Sequence, residues 1–156
     1  MDEEKTGMIE LTGTVEHVLY RNDVNQYTVL NVLAGEDEYT VVGVLPLVSA
    51  GEELWVLGRW ENNQSYGMQI RAEKFTRSQP VTERGMLAYL ASGAIKGVGR
   101  ATAMRIIDSF GVRALEIIEN EPDRLSTIRG ISAEKAREIG EEFRRIQGLR
   151  ELMAYL

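Results

Sequence analysis

The stretch Ile95–Ile106 returns in fainter form 33 positions later, and an internal repeat of that kind means one supersecondary unit built twice. In this register Ile95 falls on Ile128, Lys96 on Arg129, Gly97 on Gly130 and Val98 on Ile131. Ala103 then falls on Ala136, Ile106 on Ile139 and Phe110 on Phe143. Each copy reads as a helix, a tight glycine turn and a second helix. Glycine admits the positive φ that such a turn needs, and the helix after the turn begins with N–H groups that have no intrahelical partner. With the positive end of the helix dipole, those donors suit a phosphate. Val98 and Ile131 are placed to point inward and pin the turn, while Ala103 and Ala136 are small where the helices must approach closely.

The pattern resembles the helix-hairpin-helix motif of DNA-handling proteins, which holds the nucleic-acid backbone without reading its sequence. The resemblance implies a phosphate-contacting stretch of Lys96, Gly97, Val98, Gly99, Arg100 and Thr102 in the first copy, and a second set of Arg129, Gly130, Ile131 and Lys135. The second copy departs from the motif at Ser132, which stands in place of the second glycine and is suited to cap the next helix. Glu134 in that helix's first turn favours the helix but repels a phosphate at the same place. The first hairpin is therefore the expected stronger contact. A plain αα-hairpin without a ligand is the competing reading of these residues.

Residues 8–76 have strand chemistry instead. From Met8 to Tyr20 the apolar residues begin at odd positions (Ile9, Leu11, Val15) and end at even ones (Val18, Tyr20), so a long bent strand with a bulge is expected, Gly13 lying in the run. Further strands are expected at Tyr27–Leu33, Tyr39–Leu45, Leu54–Trp60 and Gly67–Phe75, separated by turn-rich segments. Five short strands, the first long and coiled, predict a small barrel of the OB type, with an SH3-like barrel as the alternative. An OB barrel binds ligands on its second and third strands and in two loops, here Arg21–Gln26 and Glu61–Tyr66. Tyr27, Trp60 and Tyr66 are the candidate base-stacking rings, near Arg59 and Arg71, and a stacked base contributes about 1–3 kcal/mol. Trp55 and Trp60 differ in parity within one strand, so one of them faces the core. A packing or protein-docking role competes with base stacking.

Charge separates the two halves. Residues 1–79 hold 6 basic and 13 acidic side chains, a balance of −7, whereas residues 80–156 hold 12 and 11, a balance of +1. Contacts to a nucleic-acid backbone are expected in the second half. Thr76–Pro80 marks the change from a period of 2 to one of 3.6. The predicted helices are Thr82–Ser92, Gly99–Phe110, Val112–Asn120, one beginning at Asn120–Asp123, and Ser132–Gln147. Leu149, Leu152, Met153 and Leu156 form an apolar stripe on what reads as a new helix. The predicted class is α+β, with an OB-like five-stranded barrel at 1–78, an all-α tandem helix-hairpin-helix domain at 79–148, and the first helix of a further hairpin at 149–156.

The single histidine, His17, sits within a strand and reads as structural, and Glu36–Glu38 and Glu52–Glu53 read as solvated turns rather than metal ligands. No phosphate-loop lysine motif, HExxH or paired carboxylate motif occurs, so neither a catalytic nor a metal-binding residue is assigned. The absence of cysteine and of a signal-like start suggests a reducing, cytoplasmic setting.

The combination resembles the N-terminal region of RecD-like ATP-dependent DNA helicases, to which the exonuclease V alpha subunit is related. The resemblance rests on Gly43–Pro46, Gly51–Glu52, Gly58–Trp60 and Ser65–Gln69 in the barrel, and on Ile95–Gly99, Ile118–Pro122 and Arg150–Leu156 in the helical part. It implies an accessory DNA-binding module whose RecA-like motor domains lie outside these 156 residues. Those domains would use ATP and Mg²⁺ to move 5′ to 3′ on single-stranded DNA in repair or recombination, and this region itself needs no cofactor. DNA is the expected partner, with a repair or single-strand-binding protein as a candidate second one. A RuvA-type Holliday-junction protein has a similar order of barrel and two hairpins, and a protein-interaction module is a third reading.

Overall fold

A computed structural model describes residues 7–65 and 67–154, and these fall into two compact units, one ending at Pro80 and the other beginning at Val81. In the first, β1 (Met8–Arg21), β2 (Tyr27–Ala34), β3 (Asp37–Val44), β4 (Glu53–Asn63) and β5 (Gly67–Ser78) close a barrel in the order β1-β2-β3-β5-β4. This is the OB order, and its mark is the parallel pairing of β3 with β5 (Val41 with Ile70, Val42 with Arg71) among otherwise antiparallel neighbours.

The length of β1 serves two partners. Met8–Thr14 pairs with β4, and Thr14–Arg21 pairs with β2. The parity switch has its cause in a bulge at Glu16, where the register with β2 shifts between Val15 and His17, so Val15 and Val18 both turn toward the core. A second bulge at Leu19 reverses the parity again, which puts Tyr20 outside and Arg21 inside. Gly13 makes no bulge. A Cβ there would lie 2.4 Å from the Leu33 carbonyl oxygen, so it marks the close crossing where β1 changes partners. Val15, Leu30, Val32, Val41, Leu45, Val48, Val56 and Ile70 fill the interior without measurable exposure.

One end of the barrel is closed by the connector from Leu45 to Glu52. The Arg21 guanidinium donates to the carbonyls of Leu45 (3.3 Å) and Val48 and to Thr28 Oγ1 (3.2 Å). Burial pulls the Arg21 pKa down, and the negative charge of Glu52, then of Asp23, opposes it. Glu52 was expected in a solvated turn but is wholly buried, with Oε1 accepting from the Ser49 N–H at 2.6 Å. A carboxylate survives there because it is hydrogen-bonded and faces a guanidinium. The expected loop Glu61–Tyr66 is also shorter than its span, since Glu61–Asn63 continue β4 against Gly67–Gln69.

In the second unit, α1 (Glu83–Ala91) is capped by Thr82 Oγ1, which accepts from the Gly85 N–H at 2.9 Å. After it come α2 (Arg100–Phe110), a 3₁₀ turn (Gly111–Arg113), α3 (Ala114–Asn120), a second 3₁₀ turn (Pro122–Thr127) and α4 (Ala133–Ala154). The segment after Asn120 was expected to start an α-helix and forms this six-residue 3₁₀ turn, with proline at its start. The separate helix expected from Leu149 is likewise the last part of α4, which runs through Gly148 without a break. A lone glycine costs a helix interior only about 1 kcal/mol, and Gln147, Leu149, Arg150 and Glu151 around it are good helix formers. The core is built from both copies of the repeat: Ile95 and Ile128, Val98 and Ile131, Ala103 and Ala136, Ile106 and Ile139 are all buried in it.

Candidate nucleic-acid interface

The two glycine turns are the same structure. Gly97 has φ +91° and Gly130 +93°; the Val98 N–H donates to the Ile95 carbonyl at 3.2 Å, and the Ile131 N–H to that of Ile128 at 3.1 Å. The next helix opens identically, with Ala103 N–H to Gly99 O and Ala136 N–H to Ser132 O, both 2.9 Å. Val98 and Ile131 are buried and their N–H groups are engaged, so they shape the elbows while their neighbours face outward. Lys96, Gly97, Gly99 and Arg100 are exposed at the first elbow and Thr102 is half-buried. Arg129 and Gly130 are exposed at the second, and Lys135 is half-buried.

The elbows differ in how the next helix starts. Gly99 is extended (φ −96°), provides no side-chain cap, and α2 has no acidic residue in its first turn, so its N–H groups are open to an anion. At α4 the Ser132 hydroxyl accepts from the Lys135 N–H at 3.1 Å and Glu134 occupies the first turn.

Cations of the helical unit divide by position. Arg113, Arg124 and Arg145 pair with carboxylates, and Arg144 grips the Glu119 carbonyl at 2.8 and 3.0 Å. Among the described residues Lys96, Arg100, Arg105, Arg129, Lys135 and Arg137 form no ion pair, and these six lie at the elbows or in the early turns of α2 and α4. A charge left unneutralised in one region is what a polyanion site requires. Glu142 is the carboxylate whose titration feels Lys96. The hydrogen bond from Arg145 holds its carboxyl below the ordinary carboxylate range, and Lys96 adds a smaller pull in the same direction.

Arg105 and Arg137 lie beyond the motif positions. Arg105 leans from α2 onto the second elbow, its Nη1 donating to the Arg129 carbonyl at 3.4 Å, a contact that motif spacing does not encode.

On the barrel two exposed arginines are matched by carboxylates. Arg59 pairs with Glu73 (2.8 Å), and Arg71 grips Glu61 at 2.8 and 3.1 Å, which lowers the Glu61 pKa chiefly through that hydrogen bond. Trp60 is half-buried against the core with its ring 6.1 Å from that of Tyr39, and Tyr27 is half-buried beside Arg71. Tyr66 lies outside the described residues. Trp55 is the one turned from the core, its Nε1 donating to Glu10 at 2.6 Å. No helix among the described residues is long and apolar enough to cross a membrane.

Comparison with known proteins agrees with this architecture. Residues 8–80 match a family model described as the OB-fold domain of the ATP-dependent DNA helicase YrrC. Residues 89–145, which include both elbows, match the model of a SAM-like helix-hairpin-helix tandem. The chain is also similar to the ATP-dependent RecD2 DNA helicase of Deinococcus radiodurans, at 30% identity over 130 residues. That alignment takes in 78% of this chain and 18% of the relative, so the chain spans under a fifth of that relative's length.

Proposed function

We propose, for a chain that belongs to the RecD-like DNA helicases through their N-terminal OB-fold and helix-hairpin-helix region, that the helical unit is a sequence-independent grip on the sugar–phosphate backbone of DNA. The observation that carries this is the division of charge: the six cations without carboxylate partners lie at the two glycine elbows or in the early turns of the helices that follow, while Arg113, Arg124 and Arg145, outside those stretches of the chain, are neutralised. Lys96, Gly97, Gly99, Arg100 and Thr102 make the first contact with the open start of α2, and Arg129, Gly130 and Lys135 the second, with Val98 and Ile131 holding the turns in shape. The module serves a longer ATP-dependent 5′-to-3′ helicase of DNA repair or recombination in the cytoplasm. ATP and Mg²⁺ act at the motor domains, and the grip needs no cofactor.

The barrel is read differently. Its acidic balance and the carboxylate partners of Arg59 and Arg71 favour docking of a basic protein segment, such as one from a repair or single-strand-binding protein, over base stacking at Tyr27, Trp60 or Tyr66.

A salt titration of binding to a labelled duplex with a single-stranded tail tests the grip. Affinity falls steeply with salt, and Lys96→Gln with Arg100→Gln reduces the slope by about two, near 0.9 per phosphate contact. Binding that ignores both salt and these substitutions refutes it. A stable tetramer that prefers four-way junctions would instead support the junction-binder reading.

A further inference from the structure

The geometry points to Arg105 as the phosphate-binding cation of the second elbow, contributed across the repeat by the helix of the first hairpin. This rests on the proposed grip on DNA and assigns it a residue outside the repeated motif.

Two observations show that the second elbow cannot work as the first does. Ser132 occupies the Lys135 N–H that an anion would otherwise take, and Glu134 places a carboxylate in the first turn of α4. Thirty-three residues earlier, the equivalents of Ser132 and Glu134 are Gly99 and Ala101, which leave that place open and uncharged. A phosphate at the second elbow therefore needs a cation beyond Arg129 and Lys135.

Arg105 supplies it. Its guanidinium lies over Gly130, with Nη1 2.7 Å from where a Cβ on that glycine would stand, and donates to the Arg129 carbonyl at 3.4 Å. That contact uses one of five donors, and the side chain is exposed with no carboxylate partner among the described residues. A planar fork anchored at one end to the turn and open at the other matches the bidentate geometry of a phosphate. In the repeat register Arg105 corresponds to Glu138, so the cation crosses from the first hairpin to the second and has no counterpart in the reverse direction. At the first elbow the charge of Lys96 is felt instead by a carboxylate, the Glu142 group already held by Arg145.

The test uses the whole chain and the same labelled tailed duplex in a salt titration, with folding followed by circular dichroism. Arg105→Gln is expected to lower affinity about three- to tenfold and to reduce the salt slope by about 0.9, the share of one phosphate contact. Arg105→Lys should restore the slope while recovering only part of the affinity, since it keeps the charge and loses the fork. If Arg105→Gln leaves the slope unchanged while the parent chain binds with a steep one, the assignment is wrong and the grip stands. A lower affinity at unchanged slope means that Arg105 only steadies the turn, and equally overturns it. A parent chain with no salt-sensitive binding removes the grip, and the assignment with it.

Discussion

Gly97 and Gly130 hold the same left-handed backbone, φ +91° and +93°, although one sits between two α-helices and the other between a 3₁₀ turn and an α-helix. What the repeat conserves is thus the elbow and not the element before it. Left-handed φ costs a residue with a side chain about 1–2 kcal/mol. Gly97→Val should lower stability in urea by about that amount and abolish DNA binding, because nothing else presents Lys96 and the start of α2 together. Gly99→Ala should lose far less stability, since φ −96° suits any residue. Equal losses from the two substitutions would contradict this account of the elbow.

Ser132 and Glu134 should separate helix stability from ligand affinity. Ser132→Ala removes the hydroxyl that accepts from Lys135 and is expected to cost about 1 kcal/mol. Glu134→Gln removes a favourable charge at the helix start, a loss of about 0.3–1 kcal/mol, yet should raise DNA affinity several-fold. Paired denaturation and binding curves on one sample of each variant check the opposite signs.

How far the sequence reveals this molecule depends on the range of each contact. Strand parity exposes the bulge at Glu16, because Val15 and Val18 have opposite parity and yet are both apolar within four residues; the second bulge at Leu19 leaves no such trace, because Tyr20 is as credible inside a barrel as outside. The elbows are legible for the same reason, since Gly97, Val98 and Ala103 act within one short stretch. Glu52 is misread from sequence because the charge that makes its burial tolerable belongs to Arg21, brought near only when the barrel closes. Arg105 is hidden likewise, its target lying 24 residues away across the hairpin pair.

Acid should weaken the barrel partly through Glu61. Its carboxyl pKa is held below the ordinary value by the Arg71 hydrogen bond, so the folded state binds that proton less readily than the unfolded chain. The resulting stability is fully present above the ordinary carboxylate range and is lost as pH falls through the depressed value. Because Arg71 is exposed, the effect is small, within the range of about 0–1 kcal/mol for surface pairs. Arg71→Gln should flatten this part of the acid limb in urea midpoints measured across pH, with little change in the salt slope of DNA binding.

The buried end of the barrel makes the largest prediction. Glu52 accepts from the Ser49 N–H and sets its charge toward Arg21, whose guanidinium in turn holds the Leu45 and Val48 carbonyls. Glu52 is wholly buried while Arg21 is half-buried, so removing the Glu52 carboxylate chiefly leaves the Ser49 N–H without its acceptor, a loss of about 1–3 kcal/mol. Glu52→Leu should therefore lower the urea midpoint of the barrel, whereas Glu52→Gln, which keeps an acceptor for Ser49, should lose less. Arg21→Met alone should also lose stability, since it strips the donors from the Leu45 and Val48 carbonyls, and the double variant Arg21→Met, Glu52→Leu should lose less than the sum of the two single losses. Strictly additive losses in that cycle would mean that the two charges do not sense each other.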